Sequence, residues 1–378
     1  MRIPVACASL AALFACSDPP ADPTGPFLPE TLALTATVPA GGEIFRCRYF
    51  VLPEGARDAI RFEHDYTAGS HHILLYPTSL TAGDVADDLD PFDCNSRGDL
   101  AQTGVAYGAD EQPVGEMAFP PGVGMHFEGG DVVLLEAHYL NTTDDDLDAT
   151  VSVTLHFAEE PVATHAGTLF YYNWSILIPP APGTATARMR CVVPEDIELM
   201  YATSHMHRRG TQFRSWLLED GASEPVSLHM TDDWAAPIAD VFLPPRTVTA
   251  GSVIEFECDF QNDRPHAVVE GDSADDNEMC MFIASYWPQM DLTADYCLVE
   301  GSGPVLDGAR TCLQTLDCLE TVTEDVAAQE CLQDTCSASS TSLSSFLLCI
   351  DENGCGDSES CIVDRCLDEY LACESASC

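Results

Sequence analysis

Hydrophobic and polar residues alternate over short stretches of residues 31–300, and this pattern predicts strands. Runs of alternating or β-branched residues are separated by Gly, Pro, Asn and Asp, and no long amphipathic helix interrupts them. A period of two is typical of a strand with one buried face, and many such strands predict all-β sandwiches. The clearest runs are Leu32–Val38, Asp131–Leu140, Ala149–Phe157, Thr168–Tyr172 and Ser252–Phe260.

Two changes of composition predict the domain boundaries. The segment Glu159–Val162 is a predicted domain boundary. It divides the strand-rich region into an N-terminal domain, 31–160, and a C-terminal domain, 161–300. Beyond it, residues 301–378 form a third unit with ten cysteines. Cys331–Cys336 is echoed by Cys361–Cys366, which predicts a small, twice-repeated helical domain held by disulfides.

The N-terminus predicts export. Residues 1–15 have one Arg and a short apolar core, which is typical of a signal peptide and too short for a membrane span. The Leu13-Phe14-Ala15-Cys16 sequence resembles a bacterial lipobox, so we expect Cys16 to be lipidated, with ordinary secretory cleavage as the alternative. Residues 16–30 form a Pro-rich tether. The expected location is the outer membrane or cell surface of a bacterium, held by the lipid anchor alone, or otherwise the periplasm or the medium.

Charge and cysteine content support this location and exclude one class of partner. The chain has 62 Asp and Glu residues and 15 basic residues, which gives a net charge of -47. Such an acidic surface repels phosphates, so nucleic-acid binding is excluded. Without Cys7 and Cys16, sixteen cysteines remain, six in 31–300 and ten after 310. Even numbers in both parts predict disulfides formed in an oxidising compartment.

Five histidines and one methionine form the candidate chemistry. On a strand, His205 and His207 would point to one face, whereas His71 and His72 can share a metal only at a strand end or a bulge, which Gly69-Ser70 permits. Imidazoles with a thioether suit copper, particularly Cu(I), whereas zinc would prefer a carboxylate or thiolate. The alternative is that these side chains are ordinary surface or packing residues. The set consists of His71, His72, His138, His205, His207 and Met279.

The order of these motifs resembles that of the copper type II ascorbate-dependent monooxygenases, the group of peptidylglycine α-hydroxylating monooxygenase and dopamine β-monooxygenase. The resemblance covers about residues 31–300. It rests on His71-His72, Glu136-Ala-His138-Tyr139, His205-Met-His207 and Asn277-Glu278-Met279-Cys280, together with Ile176 to Pro180 and Tyr286 to Gln289.

The resemblance implies two jelly-roll domains that face each other across a solvent-filled cleft, with two copper ions per chain. His71, His72 and His138 would hold the electron-transfer copper. His205, His207 and Met279 would hold the copper at which O₂ binds and the substrate C–H bond is attacked. An external reductant such as ascorbate would supply electrons. The implied disulfides are Cys47–Cys94, Cys191–Cys297 and Cys258–Cys280.

This chain departs from the peptide-amidating branch where that branch holds the substrate carboxylate. The Arg, Asn and Tyr of that branch are replaced by Thr203, Met281 and Ile283. A buried carboxylate would lack a cation there, so we expect a small uncharged or aromatic substrate. Glu136 could orient a ligand, attract a cationic amine, or be a solvated strand carboxylate.

The leading interpretation is an exported copper-dependent monooxygenase whose partners are a small-molecule substrate, O₂ and an electron donor. A non-catalytic copper-binding surface lipoprotein is the alternative. A third hypothesis is an interaction protein that binds a protein partner through the Cys-rich tail. The other histidines are expected to be ordinary surface or hydrogen-bonded residues: His64, His126, His156, His165, His229 and His266.

Overall fold

The structure is a computed structural model of the chain. It describes residues 29–378 except 69, 88, 97–99, 101, 111–112, 236 and 356–357, and it leaves out the side chains of 70, 71, 110, 351, 352 and 359. The expected signal peptide, the lipidated Cys16 and nearly all of the tether lie outside the described residues.

The first half is a β-sandwich. One sheet has the strand order β5-β2-β9-β4-β6, and the facing sheet has the order β1-β10-β3-β8 with β7 added to β3. Alternate side chains of both sheets, among them Phe62, Ile73 and Val153, fill the core between them. The strands are β1 (Glu30–Val38), β2 (Glu43–Val51), β3 (Ala59–Tyr66), β4 (Ser70–Pro77), β5 (Phe92–Asp93), β6 (Tyr107–Asp110), β7 (Val114–Ala118), β8 (Val123–Met125), β9 (Val132–Leu140) and β10 (Leu147–Phe157).

The second half is another sandwich. Its sheets have the orders β11-β20-β14-β17 and β16-β15-β18-β13-β21, a separate pair joins β12 to β19, and Tyr171, Phe256 and Phe282 lie in the core. The elements are β11 (Thr164–Tyr172), β12 (Leu177–Ile178), β13 (Thr184–Val192), β14 (Ile197–Met206), β15 (Gly210–Leu218), β16 (Val226–Thr231), β17 (Asp240–Val248), β18 (Val253–Gln261), β19 (Val268–Val269), β20 (Cys280–Trp287), α1 (Leu292–Asp295) and β21 (Gly303–Pro304).

One sheet runs through both halves. Strands β8 and β11 pair in parallel, so the five-stranded sheet of the first half and the four-stranded sheet of the second join into one nine-stranded sheet. Gly124 lies at this joint, where a Cβ atom would come within 2.9 Å of the Ala59 carbonyl oxygen. The joint therefore requires a glycine and fixes the halves side by side.

The C-terminal tail is helical and cross-linked by disulfides, as expected. Its helices are α2 (Cys312–Leu319), α3 (Asp325–Gln333), α4 (Ser337–Glu352), α5 (Glu359–Arg365) and α6 (Leu367–Ser375). The predicted repeat, however, does not extend to the disulfides, because Cys331 pairs with Cys318, 13 residues before it, whereas the equivalent Cys361 pairs with Cys355, 6 residues before it. The five pairs are Cys312–Cys373, Cys318–Cys331, Cys336–Cys378, Cys349–Cys366 and Cys355–Cys361.

The tail is docked on the second sandwich. The indole N–H of Trp174 donates to the Ser344 hydroxyl at 2.8 Å, and the side-chain amide of Gln329 donates to the Trp174 carbonyl at 3.0 Å. Gln333 donates to the carbonyl of Ser175 at 2.9 Å. These contacts make the tail a fixed part of the molecule.

The predicted fold class, an all-β body with a helical disulfide-rich tail, is confirmed. The body contains the three expected disulfides, Cys47–Cys94, Cys191–Cys297 and Cys258–Cys280. Eight disulfides within the described part of the chain fit an exported protein. No helix among the described residues combines the length and the apolar character that crossing a membrane requires.

Candidate metal centre

A β-bulge positions the first histidine motif. Strand β4 pairs with β9 so that Ser70 lies opposite Tyr139 and His72 lies opposite His138, and the register skips His71. This is the bulge that the adjacent histidines require for a shared metal. The imidazole rings of His72 and His138 lie 4.8 Å apart and nearly perpendicular. The side chain of His71 lies outside the described ones.

The end of β14 positions the second histidine motif. His205 lies on β14 opposite Met281 of β20, and His207 follows one residue beyond the end of β14. The rings of His205 and His207 lie 5.1 Å apart at 90°. Both side chains are buried. The two imidazoles can therefore face one ion, as the His-x-His spacing predicts.

The two motifs meet across the halves of the chain. The rings of His72 and His205 are 5.2 Å apart at 85°, so His138, His72, His205 and His207 form a continuous row of imidazoles. The resemblance implied two motifs separated by a solvent-filled cleft. In this structure they adjoin, because the shared sheet fixes the halves side by side.

A cavity of about 1310 Å³ opens beside this row. His72, His205 and Met279 all line it, so the expected thioether ligand shares a space with one histidine of each motif. Thr203, Met281, Ile283 and Phe170 also line it. The cavity thus offers a mostly apolar surface next to the candidate ligands.

Glu43 connects the two motifs. Its carboxylate accepts hydrogen bonds from Nε2 of His138 at 2.8 Å, from the Ser273 hydroxyl at 2.9 Å and from the Ala274 N–H at 2.9 Å. Burial alone would raise the pKa of Glu43, but these bonds outweigh it and hold the pKa below its ordinary value. With Nε2 engaged, His138 would bind a metal through Nδ1.

Glu278 fixes the loop around His207. The fully buried carboxylate accepts the backbone N–H of His207 at 3.1 Å and that of Arg209 at 2.6 Å. Burial raises the pKa of Glu278 to about 7, and these N–H groups oppose the shift. The carbonyl of Asn277 accepts from Nδ1 of His207 at 3.3 Å, so His207 would bind a metal through Nε2.

Glu136 is not a solvated strand carboxylate, which was one of its three interpretations. Its carboxyl lines the cavity, and burial, together with nearby Asp272, raises its pKa to about 7. A substantial protonated fraction is therefore expected at neutral pH. Burial also raises the pKa of Asp272, which lines the same cavity.

The donor set fits copper. Imidazoles together with a thioether form a soft to borderline set, and each of two imidazoles is oriented by a hydrogen bond to its other nitrogen, as in known metal sites. The carboxylates of Glu43 and Glu278 near the rings accept hydrogen bonds from His138 and from backbone N–H groups.

Comparison with known families agrees with this chemistry. Residues 165–307 match the model described as copper type II ascorbate-dependent monooxygenase, C-terminal domain. This segment is similar to the C-terminal domain of the copper type II ascorbate-dependent monooxygenases. The family predicted from the residues is thereby confirmed. The matched segment includes His205, His207 and Met279.

Other comparisons add little. No curated protein matches the chain. The major capsid protein P2 of bacteriophage PM2 is similar at 9% identity and a TM-score of 0.32, covering 70% of this chain and 100% of that chain. The tandem CBM22 domains of Xyn10C from Paenibacillus barcinonensis are similar at 9% identity and a TM-score of 0.18, covering 68% of this chain and 82% of that chain. At these scores neither similarity supports a conclusion.

Sequence reasoning missed the residues that orient the ligands. Glu278 stands beside Met279 in the motif already singled out, so its position was a usable signal. Glu43 gave no local signal, because it lies 95 residues from His138 and 230 residues from Ser273. His64 was expected to be a surface or hydrogen-bonded residue, and it does bond the Tyr107 hydroxyl at 2.6 Å; its position in the lining of the cavity was not foreseen.

Proposed function

We propose that this protein is an exported copper-dependent monooxygenase that hydroxylates an activated C–H bond of a small uncharged or aromatic substrate. It would use O₂ and an external one-electron reductant, ascorbate or an equivalent. The observation that carries the proposal is the match of residues 165–307 to the copper monooxygenase family model, over a segment that contains His205, His207 and Met279, of which His205 and Met279 line a cavity.

The proposed ligands follow from the residues described above. His71, His72 and His138 would hold one copper ion, and His205, His207 and Met279 would hold a second. Bound copper supplies the one-electron transfer and the O₂ activation on which hydroxylation in this family depends. Three protein ligands per ion leave a coordination position for a further ligand.

The chain's own residues would prepare the site. Glu43 and the Asn277 carbonyl hold the rings of His138 and His207 at fixed angles, which reduces the reorganisation needed when a metal binds. Glu278 holds the backbone of His207 and thereby the spacing between His205 and His207. Met279 would act as a soft ligand that favours the reduced metal.

The cavity supports the substrate class. Met281, Ile283 and Phe170 give it an apolar wall that would exclude water from around a hydrocarbon group. None of its described lining residues is an arginine, so a substrate carboxylate would have no cation to pair with. The raised pKa of Glu136 reduces its negative charge near neutral pH and so fits an uncharged substrate.

The test combines metal analysis with reductant-dependent O₂ consumption on the purified full chain, with phenyl-alkyl compounds as probes. We expect two copper ions per chain and repeated turnover in the wild type, and loss of turnover in His205→Ala. His156→Ala is the matched control, because His156 pairs with Glu63 at 2.9 Å outside the cavity. Uptake that stops after one equivalent per copper would support the non-catalytic copper-binding lipoprotein and contradict the proposal.

A further inference from the structure

A second group of potential ligands lies at the joint between the two halves. Asp58 and His126 come from the first half, and His165 lies on β11 in the second. One ligand atom from each residue lies within 4.8 Å of the other two. The two histidines were expected to be ordinary, but the parallel pairing of β8 with β11 brings them together, with their rings stacked at 4.5 Å.

The distances suit a metal ion. Asp58 Oδ1 is 2.8 Å from Nδ1 of His126 and 3.6 Å from Nε2 of His165. Ligand atoms bound tetrahedrally to zinc at about 2.0 to 2.1 Å lie about 3.3 Å from one another. The observed distances lie on either side of this value, so rotations of the two imidazoles would complete the geometry.

A cation would also stabilise the buried carboxylate of Asp58. The side chain is 5% exposed, and within the described part of the chain its ion-pair partners are His126 and His165. A buried carboxylate is costly unless its charge is paired. A divalent cation would supply the opposite charge and bind both imidazoles. The histidine side chains are 47% and 44% exposed, so an ion can enter from solvent.

The backbone holds these residues in place. The second oxygen of Asp58 accepts the Val162 N–H at 2.9 Å, and the Asp58 carbonyl accepts the Ala158 N–H at 2.9 Å. The carbonyl of His165 accepts the Gln289 N–H at 2.8 Å. The carboxylate of Asp58 and the backbone of His165 are therefore held in place before a metal binds. A further group among the described residues, Cys47, Cys94 and Glu136, is not a metal site because its sulfurs form a disulfide.

We propose that Asp58, His126 and His165 bind one zinc ion that fastens the two halves together at their shared sheet. Two imidazoles and a carboxylate are a donor set that zinc accepts, and solvent can complete the coordination. The site is separate from the candidate copper ligands and contains no thioether. Its role is to hold the joint between β8 and β11.

The experiment uses the full chain loaded with copper and then dialysed against low-micromolar zinc. We expect one zinc per chain in addition to copper by elemental analysis. His126→Ala and His165→Ala should each weaken zinc binding by at least about tenfold, since loss of even an orienting partner costs that much in known sites. His156→Ala, the control, should keep the zinc.

A second measurement keeps the test independent of folding and of turnover. Zinc should raise the midpoint of thermal unfolding of the wild type and of His156→Ala, and should leave that of His126→Ala unchanged. Equal zinc content in wild type and His126→Ala would overturn the proposal. A third copper ion in place of zinc, lost in His126→Ala, would overturn the assignment to zinc. None of these readouts requires monooxygenase activity, so failure of the proposed function leaves this result interpretable.

Discussion

Replacement of Glu43 tests the link between the two histidine motifs. Glu43→Ala removes the acceptor of three hydrogen bonds, from His138, Ser273 and Ala274. Each buried donor left without an acceptor costs about 1 to 3 kcal/mol. The Glu43 side chain is 20% exposed, so water replaces part of the loss. We therefore expect the free energy of unfolding to fall by about 2 to 4 kcal/mol.

The same change should weaken copper binding. Loss of the partner that orients a ligating histidine typically lowers metal affinity by about 10- to 100-fold. Glu43→Gln should have a smaller effect, because its amide oxygen can still accept the hydrogen bonds of His138 and Ala274 while the negative charge is lost. The expected order of copper affinity is wild type, then Glu43→Gln, then Glu43→Ala.

Two assays measure these effects. Competition with a copper chelator gives the affinity, and urea unfolding of the metal-free protein gives the stability. Glu116→Ala is the control, because Glu116 is an exposed carboxylate 3.7 Å from Arg61. If Glu43→Ala binds copper within about twofold of wild type, the orienting role deduced by analogy with known sites is wrong.

Three further predictions concern stability and turnover. Burial raises the pKa of Asp295 to about 7, with a further increase from Asp291, so stability should fall as pH rises from about 4 to 7, by at most about 4 kcal/mol. Urea unfolding of Asp295→Asn at pH 4.5 and 8 should show a smaller slope than the wild type, with the remainder due to Glu136 and Glu278; an unchanged slope would assign it to other groups. Met279→His should keep its copper content but lose O₂ turnover, and undiminished turnover would refute the role of the thioether. Replacing Cys258 and Cys280 by Ala should lower thermal stability by about 3 kcal/mol for this short loop, and an unchanged melting midpoint would contradict it.

Local patterns in the sequence predicted the strands well. The alternation over Ala149–Phe157 lies within β10, and Ser252–Phe260 differs from β18 by one residue at each end. Period-two burial determines these elements, because each strand places one face in the core of its sandwich. The bulge at His71 could also be predicted, since two adjacent histidines cannot share a face without it.

Contacts between distant segments could not be predicted. The approach of His126 to His165 depends on the parallel pairing of β8 and β11, which no local pattern specifies. Glu43 lies on β2, yet its partners come from β9 and from the loop before β20. The tail disulfides are a similar case, because ten cysteines permit many pairings and an echo in sequence does not fix which sulfurs meet.

The shared sheet also has a consequence for the newly made chain. Until β11 has been synthesised, the first sandwich exposes the unpaired backbone N–H and C=O groups of β8, and such an edge readily pairs with another polypeptide. A gene cut between the halves would leave this edge open permanently. Fragments produced in that way should aggregate through it, which makes the two sandwiches poor subjects for separate expression.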